Sequence, residues 1–96
     1  MLYLVVEHFK NGDPAPVYAR YHARGRLAPP GLTYLDSWLT LDLTRCYQLM
    51  ECGDPALLDT WMNEWSDLVG FEVHPVVTSA VVSAHFTPPA DPGQRS

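Results

Sequence analysis

The sequence has few basic residues, and it lacks an apolar run long enough to cross a membrane. Lys and Arg number 6 against 11 Asp and Glu, which gives a formal net charge of −5. A nucleic-acid groove needs a basic stripe, and a membrane-spanning helix needs about 20 apolar residues. We therefore expect neither nucleic acid nor a membrane among the partners of this chain.

The sequence is also poor in cysteine, and the two that it has predict neither a disulfide nor a metal site. Cys46 and Cys52 fall on one expected strand, which puts them about 20 Å apart, beyond disulfide reach. There is no glycine-rich phosphate loop, nucleophile elbow or metal-ligand spacing, so we expect no metal and no cofactor. Without a basic leader segment, buried free thiols favour a cytoplasmic location.

The most informative segment is residues 32–52, which predicts a β-hairpin with arms at residues 32–40 and 44–52. Aromatic residues, leucine and threonine dominate both arms, and neither arm contains glycine or proline. Each arm is apolar on both of its alternating rows. This pattern indicates a sheet that is covered on both faces.

Two further strands and two helices flank the hairpin. Identical Gly-Asp-Pro-Ala tetrapeptides at residues 12–15 and 53–56 predict two equivalent helix starts, each with an Asp cap before Pro. Pro75 marks the last strand as an edge strand or the site of a β-bulge. The expected elements are a strand at 2–9, a helix at 14–27, a helix at 56–69 ended by Gly70, and a strand at 71–82.

This order predicts a ferredoxin-like α+β fold, βαββαβ, with a four-stranded antiparallel sheet and two helices on one face. The first and third strands should be adjacent, and we expect them to run in the same direction. Because helices cover only one face, a second copy should cover the other, giving a homodimer of the dimeric α+β barrel type. The domain should span residues 1–85, and the Pro-rich residues 86–96 should form a disordered tail.

Polar side chains should collect at one end of this sheet, where the first and third strands end and the others begin. A histidine beside a carboxylate suits general acid–base catalysis. The catalytic candidates are His8, Asp36, Glu51 and His74. Aromatic side chains would form the ligand-binding walls of a pocket between sheet and helices, and these are Tyr34, Trp38, Trp61 and Trp65. For each residue an ordinary surface or packing role is the alternative.

Five segments carry a resemblance to a known family: VVEHFKNGDP, ARGRLAPPGL, YLDSWL, RCYQLMECGDPALL and WSDLVGFEVHPVVTS. Up to about residue 79, the chain resembles a small uncharacterised bacterial family, domain of unknown function 3303. The resemblance implies the dimeric α+β barrel fold. Relatives of that barrel include cofactor-free monooxygenases, lactone isomerases, haem enzymes and stress proteins, so the fold alone does not select a chemistry.

Two hypotheses of function follow, and the sequence leaves open whether the protein is an enzyme. In the first, it binds a small aromatic or hydrophobic molecule in a pocket between sheet and helices, or converts that molecule without a cofactor. In the second, it is a non-catalytic dimeric interaction or accessory protein. A deep pocket with buried polar groups favours the first hypothesis, and a packed interior with an exposed apolar patch favours the second.

Overall fold

The computed structural model describes residues 1–86, which form one sheet and a set of short helices. The strands are β1 (Leu2–Phe9), β2 (Thr33–Leu39), β3 (Arg45–Glu51) and β4 (Val69–Val76). The α-helices are α1 (Ala15–Arg24), α2 (Ala56–Asn63) and α3 (Ser79–His85), and a 3-10 helix spans Lys10–Gly12. This βαββαβ order, followed by an additional helix, confirms the predicted ferredoxin-like α+β fold. Within these residues no helix is both long and apolar enough to cross a bilayer.

The sheet has the order β2-β3-β1-β4, and all of its pairings are antiparallel. The expectation that β1 and β3 run in the same direction is therefore wrong. Leu2 pairs with Glu51, whereas His8 pairs with Arg45 at the other end. The crossover through α1 leaves β2 parallel to β1, and the hairpin then reverses the chain. As a result β3 opposes the β1 strand beside which it lies.

The core lies between the sheet and the two helices α1 and α2. Successive side chains of a strand point to opposite faces, and in β1 it is Tyr3, Val5 and Phe9 that join the core. From α1, Val17 packs against it, and from α2 the buried side chains are Leu58 and Trp61. The most buried large side chains, each at most 2% exposed, are Val5, Met50, Trp61 and Val69.

The two Gly-Asp-Pro-Ala tetrapeptides begin equivalent helices, as predicted. Asp13 accepts a hydrogen bond from the backbone N–H of Ala15 at 3.0 Å, and Asp54 accepts one from Ala56 at 2.9 Å. Each carboxylate thereby satisfies a donor that the helix leaves unpaired. The first helix is shorter than predicted and ends at Arg24, because Gly25 leaves the helical conformation with a φ of +75°.

The C-terminal part of the prediction needs two corrections. The second helix does not continue to Val69, because a turn closed by the Leu68 and Val69 N–H groups on the carbonyl of Trp65 follows α2. Val69 and Gly70 instead pair with β1, so the strand begins earlier than expected. Pairing in the ladder therefore outweighs the helical spacing of the apolar side chains.

The expected fourth strand also ends earlier, at Val76, and α3 includes its last expected residues, 79–82. The helix begins after Thr78, whose hydroxyl accepts a hydrogen bond from Val81 N–H at 3.2 Å. Pro75 does lie on an edge strand, because β4 pairs only with β1 among the described strands. Of the predicted tail, residues 87–96 lie outside the described residues, and Phe86 is exposed.

The open face, defined as the side of the sheet opposite α1 and α2, also carries apolar side chains. Trp38 pairs with Tyr47 on this face and is 54% exposed. Leu4 and Leu49 pair with each other there and are half-buried. The hairpin arms are thus apolar on both rows, as the sequence indicates, and one row lies outside the core.

Candidate functional site

A cleft of about 200 Å³ lies between the sheet and the two helices α1 and α2. Its floor comes from β1, β2 and β3, and its walls come from the helices and from the segment that follows α1. The apolar and aromatic side chains that line it include Phe9, Val17, Tyr18, Tyr21, Trp61 and Trp65. The polar side chains that line it are Glu7, Arg26, Ser37, Cys46 and Gln48.

Glu7 is the most unusual group in this cleft, because it is a buried carboxyl on the core side of the central strand. It is 8% exposed and stands between Val5 and Phe9 on the same row of β1. Burial raises the pKa of Glu7 from its ordinary 4.5 to about 7, although the adjacent Cys46 thiol and the charge of Arg26 oppose the rise. A carboxyl group with this pKa exists in both protonation states near neutral pH.

Cys46 lies directly across from Glu7, as its partner in the β1–β3 ladder. Burial and the neighbouring Glu7 raise the pKa of the Cys46 thiol to about 12. The thiol is thus protonated throughout the physiological range and is a poor nucleophile. Cys46 and Cys52 are both buried free thiols, as predicted.

Arg26 reaches the cleft from a segment with an unusual backbone. Its neighbours Gly25 and Leu27 have φ angles of +75° and +64°, and the second value is costly for a branched side chain. The carbonyl of Arg26 accepts two hydrogen bonds from indole N–H groups, one from Trp61 at 3.1 Å and one from Trp65 at 3.0 Å. These bonds fix the segment against α2 and the turn that follows it, which offsets the backbone strain.

The guanidinium of Arg26 lies over aromatic rings. It lies 3.6 Å from the ring centroid of Tyr34 and 5.4 Å from that of Tyr21. Its Nη1 donates a hydrogen bond to Oε1 of Gln48 at 3.2 Å, and the amide of Gln48 in turn contacts the sulfur of Met50. Arg26 forms no ion pair with a carboxylate within residues 1–86.

Two of the predicted catalytic residues, His8 and His74, lie outside the cleft on the open face. Both contact Glu72, with Nε2 of His8 at 2.7 Å from one carboxylate oxygen and Nε2 of His74 at 3.3 Å from the other. The hydrogen bond from His8, and then that from His74, lowers the pKa of Glu72. The two histidines are thus grouped with a carboxylate, but their side chains are about half exposed.

The other two predicted catalytic residues do not join this group. Asp36 is exposed and accepts a hydrogen bond from the N–H of Ser37. Glu51 pairs with Leu2, at the opposite end of the sheet from His8. The predicted grouping of all these residues at one end is wrong because it assumed that β1 and β3 run in the same direction.

The aromatic residues predicted to form the pocket walls lie in different places in the structure. Trp61 and Trp65 line the cleft, and Tyr34 stacks on Arg26 and shares a 2.7 Å hydrogen bond with Ser37. Trp38 lies on the open face, because its neighbours in β2 point into the cleft.

Sequence reasoning missed Glu7, Arg26 and Gln48 as members of one site. For Glu7 and Gln48 the available signal was a charged or amide side chain on a strand row whose other members are apolar, whereas Arg26 lies between α1 and β2 and on no strand. No group of three or more His, Cys, Asp or Glu side chains in the described part of the chain is arranged to hold a metal ion. The cleft thus presents one carboxyl, one guanidinium, one amide, one hydroxyl, one thiol and several aromatic rings.

The antiparallel sheet with α1 and α2 on one face defines a ferredoxin-like α+β protein with a cleft between its layers. The chain belongs to the family described as Domain of unknown function (DUF3303), whose model matches residues 1–88. No curated protein and no solved structure matches the chain. The family description assigns no activity, so a functional hypothesis depends on the cleft itself.

Proposed function

We propose that the protein binds a small aromatic or hydrophobic molecule in the cleft between the sheet and the helices α1 and α2. The observation that supports this most directly is the buried carboxyl of Glu7, which faces the cleft without an ion-pair partner among residues 1–86. Burying such a group costs stability unless it is paired. Binding of a ligand that hydrogen-bonds to Glu7 would explain why the protein buries this carboxyl despite the cost.

The size and lining of the cleft support a ligand with a single ring. An apolar cavity of about 150 Å³ is large enough to bind benzene, and this cleft measures about 200 Å³. It therefore has room for one aromatic ring and a small polar substituent. The rings of Tyr18, Tyr21, Trp61 and Trp65 would form its walls.

Conversion of the ligand without a cofactor is compatible with the same arrangement. Because the pKa of Glu7 is about 7, its carboxyl group could accept a proton and return it at neutral pH, as a general acid–base catalyst must. The high pKa of Cys46 argues against a covalent thiol mechanism. Proton transfer by Glu7 is accordingly the reaction type that we propose.

The proposal is tested by mapping amide chemical shifts on the full chain against a library of small aromatic compounds. Binders should shift residues of the cleft. Val17→Phe should weaken them at least tenfold by filling the cleft, whereas Val81→Phe on the exposed helix α3 is the matched control. Binders that shift only the open face, or a library without any binder, would refute the proposal.

We also propose that a second copy of the chain covers the open face. The supporting observation is the exposed Trp38 beside the half-buried Leu4, Tyr47 and Leu49 on a sheet face that α1 and α2 do not cover. Sheet-to-sheet contact between two copies would bury these side chains by an isologous interface. It would also serve the alternative function, that of a dimeric interaction or accessory protein. Because both cysteines are free, we propose a reducing, cytoplasmic location.

Sedimentation equilibrium tests the dimer. At micromolar concentration the wild-type protein should give about twice the chain mass of 10.8 kDa. Trp38→Arg should give the monomer mass with the fold retained, because Trp38 is already exposed in the single chain and the new charge would be buried only in the dimer. A wild-type protein with the monomer mass would contradict the proposal.

A further inference from the structure

The charge balance of the cleft points to the chemical class of its ligand. Arg26 brings a permanent positive charge, since a guanidinium is always protonated in proteins. Glu7 carries the opposite charge only in part of the population at neutral pH, because its pKa is about 7. No other acidic side chain lines the cleft. At neutral pH the empty cleft is therefore positive on average.

The donors of Arg26 are largely unused. A guanidinium has five N–H donors, and within residues 1–86 only Nη1 is bonded to a protein acceptor, the amide oxygen of Gln48. Stacking on Tyr34 at 3.6 Å and the bond to Gln48 hold the group in one plane. A guanidinium that is fixed, partly buried and unpaired suits bidentate recognition of a planar anion.

The aromatic walls of the cleft set a second requirement on the ligand, which is an aromatic ring. Tyr18, Tyr21, Trp61 and Trp65 offer ring faces and edges, and the volume admits one substituted ring. A phosphate monoester would bring a second negative charge, whereas the cleft offers a single guanidinium to pair with it. A carboxylate brings one charge and matches the planar fork of Arg26.

From these contacts we propose that the ligand of the cleft is a small aromatic monocarboxylate, which pairs with the guanidinium of Arg26 while Glu7 holds a proton. This inference rests on the proposed function and names its ligand class. Glu7 lies in the same cleft, so an ionised Glu7 would repel the carboxylate. A protonated Glu7 avoids this repulsion and can donate a hydrogen bond to the ligand.

Proton uptake should therefore accompany binding. About half of the Glu7 groups are protonated at pH 7, given a pKa of about 7. An anion in the cleft raises this pKa further, so its binding draws protons from solution, and its affinity must fall as the pH rises above 7. The decrease can reach tenfold per pH unit, because one proton is linked to one ligand.

The decisive experiment compares benzoate with its uncharged isostere benzamide on the full chain by isothermal titration calorimetry and amide chemical shifts. Wild-type protein should bind benzoate in the cleft at least tenfold more tightly than benzamide at pH 6.5, and only benzoate should weaken toward pH 9. Glu7→Gln should remove this pH dependence. Arg26→Gln should abolish the preference for benzoate, whereas Arg24→Gln, at the exposed end of α1, should keep it.

The possible outcomes separate this inference from the proposed function. If benzamide binds in the cleft as tightly as benzoate, or if Arg26→Gln keeps the preference, the ligand class is wrong and the binding function stands. If neither compound and no member of the aromatic library binds in the cleft, both are wrong. Should Arg26→Gln fail to fold, the comparison of the two compounds on the wild-type protein decides by itself.

Discussion

Replacing Glu7 by glutamine should remove a large pH-dependent loss of stability. In the unfolded chain this carboxyl ionises at its ordinary pKa of 4.5, whereas in the folded protein burial holds the pKa at about 7. Between these two values the folded state binds more protons than the unfolded state, so the free energy of unfolding falls as the pH rises. Above pH 7 both states are ionised, and the loss is complete.

The magnitude follows from the two pKa values. A difference from 4.5 to about 7, at about 1.4 kcal/mol for each factor of ten, corresponds to about 3 kcal/mol. Glu7→Gln keeps the size and hydrogen-bonding capacity of the side chain and cannot ionise. The variant should therefore match the wild type at pH 4 and exceed it by about 3 kcal/mol at pH 9.

Urea unfolding of both proteins at several pH values measures this difference directly. Subtracting the two curves cancels the pH-dependent contributions that the two proteins share. Glu51→Gln, at an exposed carboxyl on the neighbouring strand, is the matched control and should parallel the wild type. Parallel curves for Glu7→Gln and wild type would refute the assignment of Glu7 as a buried group with a raised pKa.

Three further predictions concern the tail and two turns. Deleting residues 86–96 should change the melting temperature by less than about 2 °C, because Phe86 is 73% exposed; a larger drop in calorimetry would mean that the segment docks. Gly31→Ala should destabilise by about 1 to 3 kcal/mol in urea unfolding, because Gly31 has a φ of +93° and an added Cβ would lie 3.0 Å from Leu57; an unchanged midpoint would contradict this strain. Leu43→Asn should stabilise by about 0.5 kcal/mol, because Leu43 is exposed at a φ of +62°; an equal gain from Leu41→Asn would contradict that reasoning.

The sequence predicted the N-terminal strand and the hairpin well because their composition leaves little choice. The predicted bounds of the first strand are those of β1, and the hairpin arms differ from β2 and β3 by one residue at each end. Runs rich in aromatic and branched residues, bounded by turn residues, form strands under most tertiary arrangements. The two Asp-Pro helix starts were equally clear, since their capping is local in sequence.

Residues 64–86 were predicted less well because tertiary contacts decide their structure. The spacing of Trp65 and Leu68 continues the apolar stripe of α2, yet the chain turns there so that Val69 can pair with Phe9. Beyond Val76, a run of valines favours a strand by propensity, while the cap at Thr78 favours a helix. The strand prediction failed because no neighbouring strand pairs with these residues in the described sheet, and propensity without pairing is a weak preference.

The site could be predicted only in part because it depends on which strand row faces the helices. The side chains of a strand alternate between two rows. Both rows of this sheet are largely apolar, so composition does not indicate which row faces the helices. Trp38 and His8 were assigned to the pocket for that reason, and both lie on the open face. The direction of β3 placed another candidate, Glu51, at the opposite end of the sheet from His8.

Once the rows are known, the polar residues of the core face argue for function more strongly than the histidine group on the open face. Glu7 lies level with Cys46 and Leu39, and Gln48 lies two pairs further along, level with Val5 and Ser37. An apolar residue at position 7 would remove the cost of burying a carboxyl. The His8–Glu72–His74 contacts are half exposed and carry no comparable cost.

A foldable sequence keeps its local preferences consistent with its fold and departs from them mainly where function requires it. In this chain several such departures meet at one place. The carboxyl of Glu7 and the guanidinium of Arg26 line the same cleft without an ion-pair partner among residues 1–86, and the strained Leu27 directly follows Arg26. The unpaired groups that meet at this cleft are the physical reason to look for the ligand there rather than on the open face.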